Sequence, residues 1–307
     1  MRVVVHGQRA FGKAVLERLL DRGDDVAAIC SAPESDGRED ELVALAREAG
    51  LPVHLPPSWR TPEALHLMAS LEADICMMAY VLLPVPVPVL NAPRFGTFQY
   101  HPSLLPRHRG PSSINWAISG GETRTGLTIF WPNEGLDEGP ILLQRTCEIG
   151  PSETVGDVYF KKLFPMGVDA MIESLDLVKA GVLLKHEQNL ETGSYESWFD
   201  KSIAELDWNQ QIADVFAKIR AADPAPGAWG TIKGKRVDIF DATLVNGHGK
   251  PGEVLAISGE GVVIAAHGGA VLVGRMRGDR DEKKPAGELA AELGISVGDV
   301  FSVQVVA

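Results

Sequence analysis

Apolar positions along the first third of the chain follow two alternating rhythms. Short apolar runs at residues 2–5, 25–29, 52–54 and 74–80 read as buried strands. Between them lie segments with helical spacing: residues 12–22 (Val15, Leu16, Leu19, Leu20), 39–49 closed by Gly50, and 65–72. Strands alternating with helices imply parallel pairing through right-handed crossovers. The region is therefore predicted to be α/β, with a doubly wound, Rossmann-like sheet. Ligands of such sheets sit beyond the C-terminal ends of the strands. Residues 80–86 and 101–106 both follow strand-like runs and fall where that rule expects a site.

The rhythm then changes. Residues 154–180 carry one long helical pattern ending at Gly181, with Pro165 expected to kink or split it. Residues 184–198 are mostly polar and irregular. A short helix is expected over 212–220. Short alternating runs with glycine turns follow at 237–240, 252–257, 261–266, 270–273 and 301–306, which suggests a small barrel. The expected organisation is a larger α/β domain over residues 1–188, a linker over 189–204 and a C-terminal open β-barrel (OB-like) domain over 205–307.

Length and charge narrow the function. A chain of 307 residues, 45% hydrophobic, suffices for two domains with proper cores. Its formal net charge of -12 disfavours a phosphate backbone as a default partner. Cys30, Cys76 and Cys147 are odd in number, widely spaced and without a Cys-x-x-Cys, so reduced thiols are expected rather than a disulfide framework or metal site. Residues 1–5 do not read as a signal peptide, and the apolar run 82–90 is broken by Pro84, Pro86 and Pro88. A cytoplasmic protein without membrane attachment is expected. The glycines Gly7 and Gly12 do not make Gly-x-Gly-x-x-Gly, and no acidic residue at the end of the 25–29 run is placed to hold a ribose. NAD and NADP are not expected as cofactors.

The candidate chemistry lies in two turn-rich segments. His101-Pro-Ser-Leu-Leu-Pro-Arg-His-Arg-Gly110 supplies an imidazole in a loop stiffened by Pro102 and Pro106. Gly135-Leu-Asp137-Glu-Gly139 supplies a carboxylate between glycines. Such a pair can transfer protons at a carbonyl centre, with the carboxylate either orienting the imidazole or accepting a proton from water. His108 and Glu138 read as positioned or solvated neighbours. Trp116, Trp131, Trp198, Trp208 and Trp229 read as core and interface aromatics.

The wording of these segments resembles the folate-dependent formyltransferases. Within them it is most similar to the 10-formyltetrahydrofolate hydrolase domain of 10-formyltetrahydrofolate dehydrogenase. Gly7-Gln-Arg-Ala-Phe-Gly12, Ala92-Pro-Arg-Phe-Gly96, Leu206-Asp-Trp208 and Pro226-Gly-Ala-Trp229 extend the resemblance over nearly the whole chain. It implies a formyltransferase fold with a C-terminal barrel, 10-formyltetrahydrofolate as substrate or formyl donor, His101 and Asp137 as the catalytic pair, and no metal. It also implies that Leu83, Pro84 and Val85 form a folate-contact loop, with Asp137 at the folate as well.

Gln99 departs from the pattern. Transferases of the family carry Asn there, whose amide donates to the formyl oxygen; hydrolase-type relatives carry an aliphatic residue. Gln99 keeps an amide on a longer arm and is the third candidate catalytic residue. Hydrolysis to tetrahydrofolate and formate leads. Formyl transfer to an amine follows, the acceptor being a small metabolite, a sugar nucleotide or, last in rank, initiator Met-tRNA. A non-catalytic folate-binding regulator is the third reading. The acidic stretch holding Glu34, Asp36, Glu39, Asp40, Glu41 and Glu48 stands where methionyl-tRNA formyltransferases carry a basic loop, so nucleic acid is not expected as a partner. From Glu205 to Ala307 there are 14 acidic and 11 basic side chains; the clusters Lys233, Lys235, Arg236 and Arg275, Arg277, Arg280, Lys283, Lys284 read as a solvated face. The sequence gives no oligomeric state.

Overall fold

The computed structural model describes residues 1–33, 37–81, 83–279 and 282–302. Glu34, Asp36, Leu82, Arg280 and most of the predicted 301–306 strand lie outside the described residues.

The first compact unit is built on β1 (Arg2–Gly7), α1 (Arg9–Asp21), β2 (Asp25–Cys30), α2 (Glu41–Glu48), β3 (Val53–His54), α3 (Pro62–Ser70), β4 (Ile75–Ala79), α4 (Val87–Leu90) and β5 (Thr97–His101). The sequence caps two of its helices. Asp40 accepts from the Leu42 amide ahead of α2, and Thr61 from the Ala64 amide ahead of α3. After α5 (Ser113–Ser119), β6 (Arg124–Phe130) and β7 (Ile141–Glu148) complete a seven-stranded sheet in the order β3-β2-β1-β4-β5-β6-β7. The chain is wound outward in both directions from the β1–β4 junction.

Pairing is parallel from β3 through β5, but β6 runs antiparallel to β5. The parallel expectation therefore holds for the first five strands only. The chain leaves β5 and re-enters β6 at the same end of the sheet. That connection keeps the loop beginning at His101 at the C-terminal edge.

The two sheet faces are distinct. On one, Phe11 of α1 stacks on Tyr100 with ring centroids 4.4 Å apart. On the other, Val4, Ala28, Cys30, Cys76 and Met78 pack with Trp59, Ala64, Met68, Val89 and Leu90. Each Val, Leu or Met among them contributes roughly 1.5–3 kcal/mol on burial. Gly7 and Gly12 serve this packing. A Cβ at Gly7 would lie 2.2 Å from the Ala79 carbonyl oxygen, and one at Gly12 2.9 Å from Leu42 Cδ2.

Compactness groups residues 1–110, 126–147 and 162–195 as one unit and residues 111–125, 148–161 and 196–307 as the other, so the two interleave along the chain. The predicted 154–180 helix forms over 155–179 without a gap but is not α-helical throughout. It comprises α6 (Val155–Val158), a π-helical turn over Tyr159–Leu163 and α7 (Phe164–Lys179). Pro165 falls in the first turn of α7, where its missing N–H costs nothing.

In the second unit, Asn115 of α5 donates to the Ala221 carbonyl of α8 (Ile212–Ala222) at 2.7 Å. The antiparallel sheet has the order β10-β11-β12-β9-β8, formed by β8 (Ala228–Ile232), β9 (Lys235–Val245), β10 (Val254–Ser258), β11 (Gly261–Ala266) and β12 (Gly269–Arg277). β13 (Lys284–Pro285) adds to β12, and α9 (Ala286–Leu293) follows. Phe301 is not in a strand as expected. Its amide donates to Gly252 and that of Ser302 to Thr231, tying the β10 side to the β8 side as an open barrel requires.

Trp198 is 61% exposed, unlike the buried Trp131 and Trp208. The described residues of the basic clusters are exposed or half-buried, and Arg277 and Arg236 converge with Lys201 on Asp238, which is only 3% exposed. Burial pushes the Asp238 carboxyl up, but hydrogen bonds from Lys201 and Arg277 outweigh it and hold it below the usual range. Among the described residues, no helix is long and apolar enough to cross a membrane.

His6 sits in the apolar interior against Trp59, ring centroids 4.6 Å apart. Burial lowers its pKa from 6.5 to about 3. The folded chain therefore keeps His6 neutral while the unfolded chain protonates it below pH 6.5, so stability present above that pH is lost as pH falls toward about 3. The loss is about 1.4 kcal/mol per pH unit within that window. Denaturant titrations of His6→Leu across this range are expected to show a flatter acid slope than wild type; an unchanged slope would assign the acid sensitivity elsewhere.

Candidate active site

The site grows from the C-terminal ends of β4 and β5. The in-register pair Met78 and Gln99 places their side chains on one face, and His101, two residues on, shares it. This is the face opposite Tyr100 and α1. Leu83 and Val85, just past β4, pack against the same apolar cluster that contains Met78, while Pro84 is exposed. Gln99, His101 and the 83–85 loop thus lie toward one side of the sheet.

His101 ends β5 and is 6% exposed. Its Nε2 lies 2.8 Å from the carbonyl oxygen of His108. A carbonyl only accepts, so Nε2 carries the hydrogen and donates. In the neutral ring Nδ1 is then left with a lone pair. That atom faces Asp137 Oδ2 at 3.6 Å. Asp137 is likewise 6% exposed, and its Oδ2 accepts the Gly110 amide at 2.9 Å. One carboxylate oxygen is therefore fixed against the His101 loop, beside the open ring nitrogen.

Both loops adopt demanding backbone conformations. His108 and Asp137 have φ of 53° and 57°, in the left-handed region that non-glycine residues rarely adopt. Such positions persist only where the surroundings over-determine them. Gly139 explains one motif glycine: a Cβ there would lie 1.8 Å from the Trp131 carbonyl oxygen. On the His101 loop, Ser103 Oγ donates to the Arg107 carbonyl at 2.7 Å, and Thr128 Oγ1 donates to the Ser103 carbonyl and accepts the Leu105 amide. Gln144 donates both to the Leu105 carbonyl and to Thr128 Oγ1.

Several contributors were not singled out in the sequence. Arg109 Nη1 donates to Glu138 Oε1 at 3.0 Å, joining the two loops. Glu138, read as solvated, is therefore an ion-pair partner. Gln188 donates to the carbonyls of Asp137 and Gly139. Ser194 Oγ accepts the His108 amide at 2.8 Å. These contacts span 29, 51, 49 and 86 residues of sequence, which no local pattern announces. Among the described residues, no group of three or more His, Cys, Asp or Glu side chains is placed to hold a metal ion.

Residues 1–175 match the formyl transferase family and residues 199–292 its C-terminal domain. The human mitochondrial 10-formyltetrahydrofolate dehydrogenase is 36% identical over 264 residues, covering 84% of this chain; the chain spans only 29% of that relative. The methionyl-tRNA formyltransferase of Geotalea uraniireducens is 31% identical, covering 98% of both chains. Among solved structures, HypX from Aquifex aeolicus in complex with tetrahydrofolic acid superposes with a TM-score of 0.73 at 22% identity, over 99% of this chain and 51% of that one. The Helicobacter canadensis N-formyltransferase in complex with folinic acid and dTDP-3-aminofucose gives 0.67 at 18% identity, over 92% and 99%. At these identities the structural likeness is one of fold. The sequence matches, over more than half the chain, show that this protein belongs to the formyl transferase family.

Proposed function

We propose that the protein hydrolyses 10-formyltetrahydrofolate to tetrahydrofolate and formate. The observation that carries this reading is the buried pair itself: an imidazole with one nitrogen occupied and the other facing a carboxylate at 3.6 Å. The pterin packs against Leu83 and Val85, with backbone groups of the 83–85 loop reading its edge, and the N10-formyl carbon lies near His101. Water adds to that carbon, forming the C–O bond. Asp137 orients the water, and the proton it loses passes to the Asp137–His101 pair, resting on Nδ1. The resulting Nδ1–H faces the tetrahedral oxyanion, aided by the Gln99 amide on the same sheet face. As the C–N10 bond breaks, that proton goes to N10. Tetrahydrofolate leaves as the amine and the formyl group as formate. The step draws on neither a metal nor a nicotinamide cofactor.

A second reading, formyl transfer to an amine, gains support from one observation. The methionyl-tRNA formyltransferase relative matches over 98% of both chains, whereas the dehydrogenase matches only through a 29% segment. The site then serves unchanged with an amine in place of water. The acidic α2 region, where Glu39 pairs with Arg47 and Asp40 accepts the Arg9 amide, favours a small acceptor over a tRNA stem.

Tetrahydrofolate and formate formation from 10-formyltetrahydrofolate, measured together with and without candidate amines, separates the readings. Formation of both without amine is expected; turnover that requires an amine would promote the transferase, and folate binding with no turnover would leave a regulator. In the same assay His101→Ala and Asp137→Asn are expected to lower kcat on the order of a hundredfold or more while remaining folded. A folded variant retaining near wild-type kcat would remove that residue from the mechanism. Gln99→Leu is expected to lower kcat with little change in affinity for 5-formyltetrahydrofolate, because an oxyanion donor acts only once charge develops. A Gln99→Leu enzyme as fast as wild type would make the amide a bystander.

A further inference from the structure

We propose that residues 188–194, expected from sequence to include the start of a linker, are a strap that sets the His101–Asp137 geometry, with Gln188 as its positioning residue. The inference rests on the reading of His101 and Asp137 as the reacting pair.

The strap touches both loops. At one end the Gln188 amide donates its two hydrogens to two carbonyls of the same strained turn, Asp137 O at 2.9 Å and Gly139 O at 2.6 Å. At the other, Ser194 Oγ accepts the His108 amide at 2.8 Å, and the Ser194 carbonyl accepts the Arg109 amide at 3.1 Å and Arg109 Nε at 3.2 Å. The Ser194 amide donates to the Pro106 carbonyl at 3.1 Å. Gly193 allows the close approach, since a Cβ there would lie 2.2 Å from that same carbonyl oxygen. His108, whose carbonyl fixes the His101 ring, and Asp137, whose carboxylate faces it, are both left-handed. A left-handed non-glycine residue is strained and persists only where its surroundings over-determine it. One seven-residue segment supplies hydrogen bonds to both.

The chemistry of the clamp is directional. Only a donor satisfies two carbonyls, so a carboxylate of the same shape would repel both. Gln188→Leu removes the donors, and Gln188→Glu removes them only while ionised. Loss of the clamp lets the Asp137 turn relax, which moves its Oδ2 from the Gly110 amide and from Nδ1.

Two readouts test this. Hydrogen exchange of the Gly110 amide, which donates to Asp137 Oδ2, follows the carboxylate without any substrate. In Gln188→Leu its protection is expected to fall while protection across β1 and β4 is kept; equal protection of Gly110 in variant and wild type would overturn the strap. Steady-state kinetics with 10-formyltetrahydrofolate is expected to show kcat lowered roughly ten- to hundredfold in Gln188→Leu with 5-formyltetrahydrofolate affinity retained. Gln188→Glu is expected to regain rate relative to Gln188→Leu as pH falls and its carboxyl protonates into a donor. Unchanged kcat, or a loss of affinity alone, or a loss of protection throughout the unit, would each overturn the assignment. If wild type itself fails to turn over formylfolate, the functional reading fails, and Gly110 exchange still decides the strap.

Discussion

The hydrogen bond from His101 Nε2 to the His108 carbonyl sets the chemistry of this site. At 2.8 Å it commits one ring nitrogen to donating, and so decides which nitrogen is open. With Nε2 occupied, Nδ1 is the atom that meets Asp137 and, in the proposed reaction, carries the proton from water to N10. The acceptor is a backbone carbonyl, which neither ionises nor rotates as a side chain does. The ring's orientation is therefore inherited from the backbone of one loop.

That inheritance explains the investment around the loops. For its carbonyl to reach the ring, His108 adopts a left-handed conformation, and Asp137 does the same to turn its carboxylate inward. Both side chains of the pair are nearly removed from water, where hydrogen bonds and charges act more strongly and misplacement is felt more. Thr128, Gln144 and Ser103 hold the start of the His101 loop, and Arg109 with Glu138 joins the loops at their outer edge. The antiparallel return of β6 beside β5 makes this possible, because it places Thr128 directly opposite His101.

Much of this was legible in the sequence, and the division has a physical basis. The apolar spacing over 39–49 and 65–72 was enough to find α2 and α3, although their caps Asp40 and Thr61 were not read. His101 and Asp137 stood out because their motifs combine reactive groups with glycines and prolines that constrain the backbone. The reversal of β6 was not legible, since strand direction depends on where the chain re-enters the sheet. The π-helical turn at Tyr159–Leu163 was foreseen only as a kink or split at Pro165, because such a turn leaves the apolar spacing almost intact. Gln188 and Ser194 were passed over as connecting residues. Their role consists of hydrogen bonds to loops dozens of residues away, and a polar residue that grips a distant carbonyl looks in sequence like one that faces water. Sequence also did not divide the core from the interface aromatics: Trp208 is fully buried and Trp198 largely exposed.

The tautomer of His101 is open to direct observation. Ring-nitrogen NMR of the ligand-free protein, at a pH where the imidazole is neutral, distinguishes a protonated Nε2 from a protonated Nδ1. The expected spectrum has one state, with hydrogen on Nε2 and Nδ1 bare. A ring protonated on Nδ1, or one exchanging between the two tautomers, would contradict the proposal that the His108 carbonyl reserves Nδ1 for the reaction.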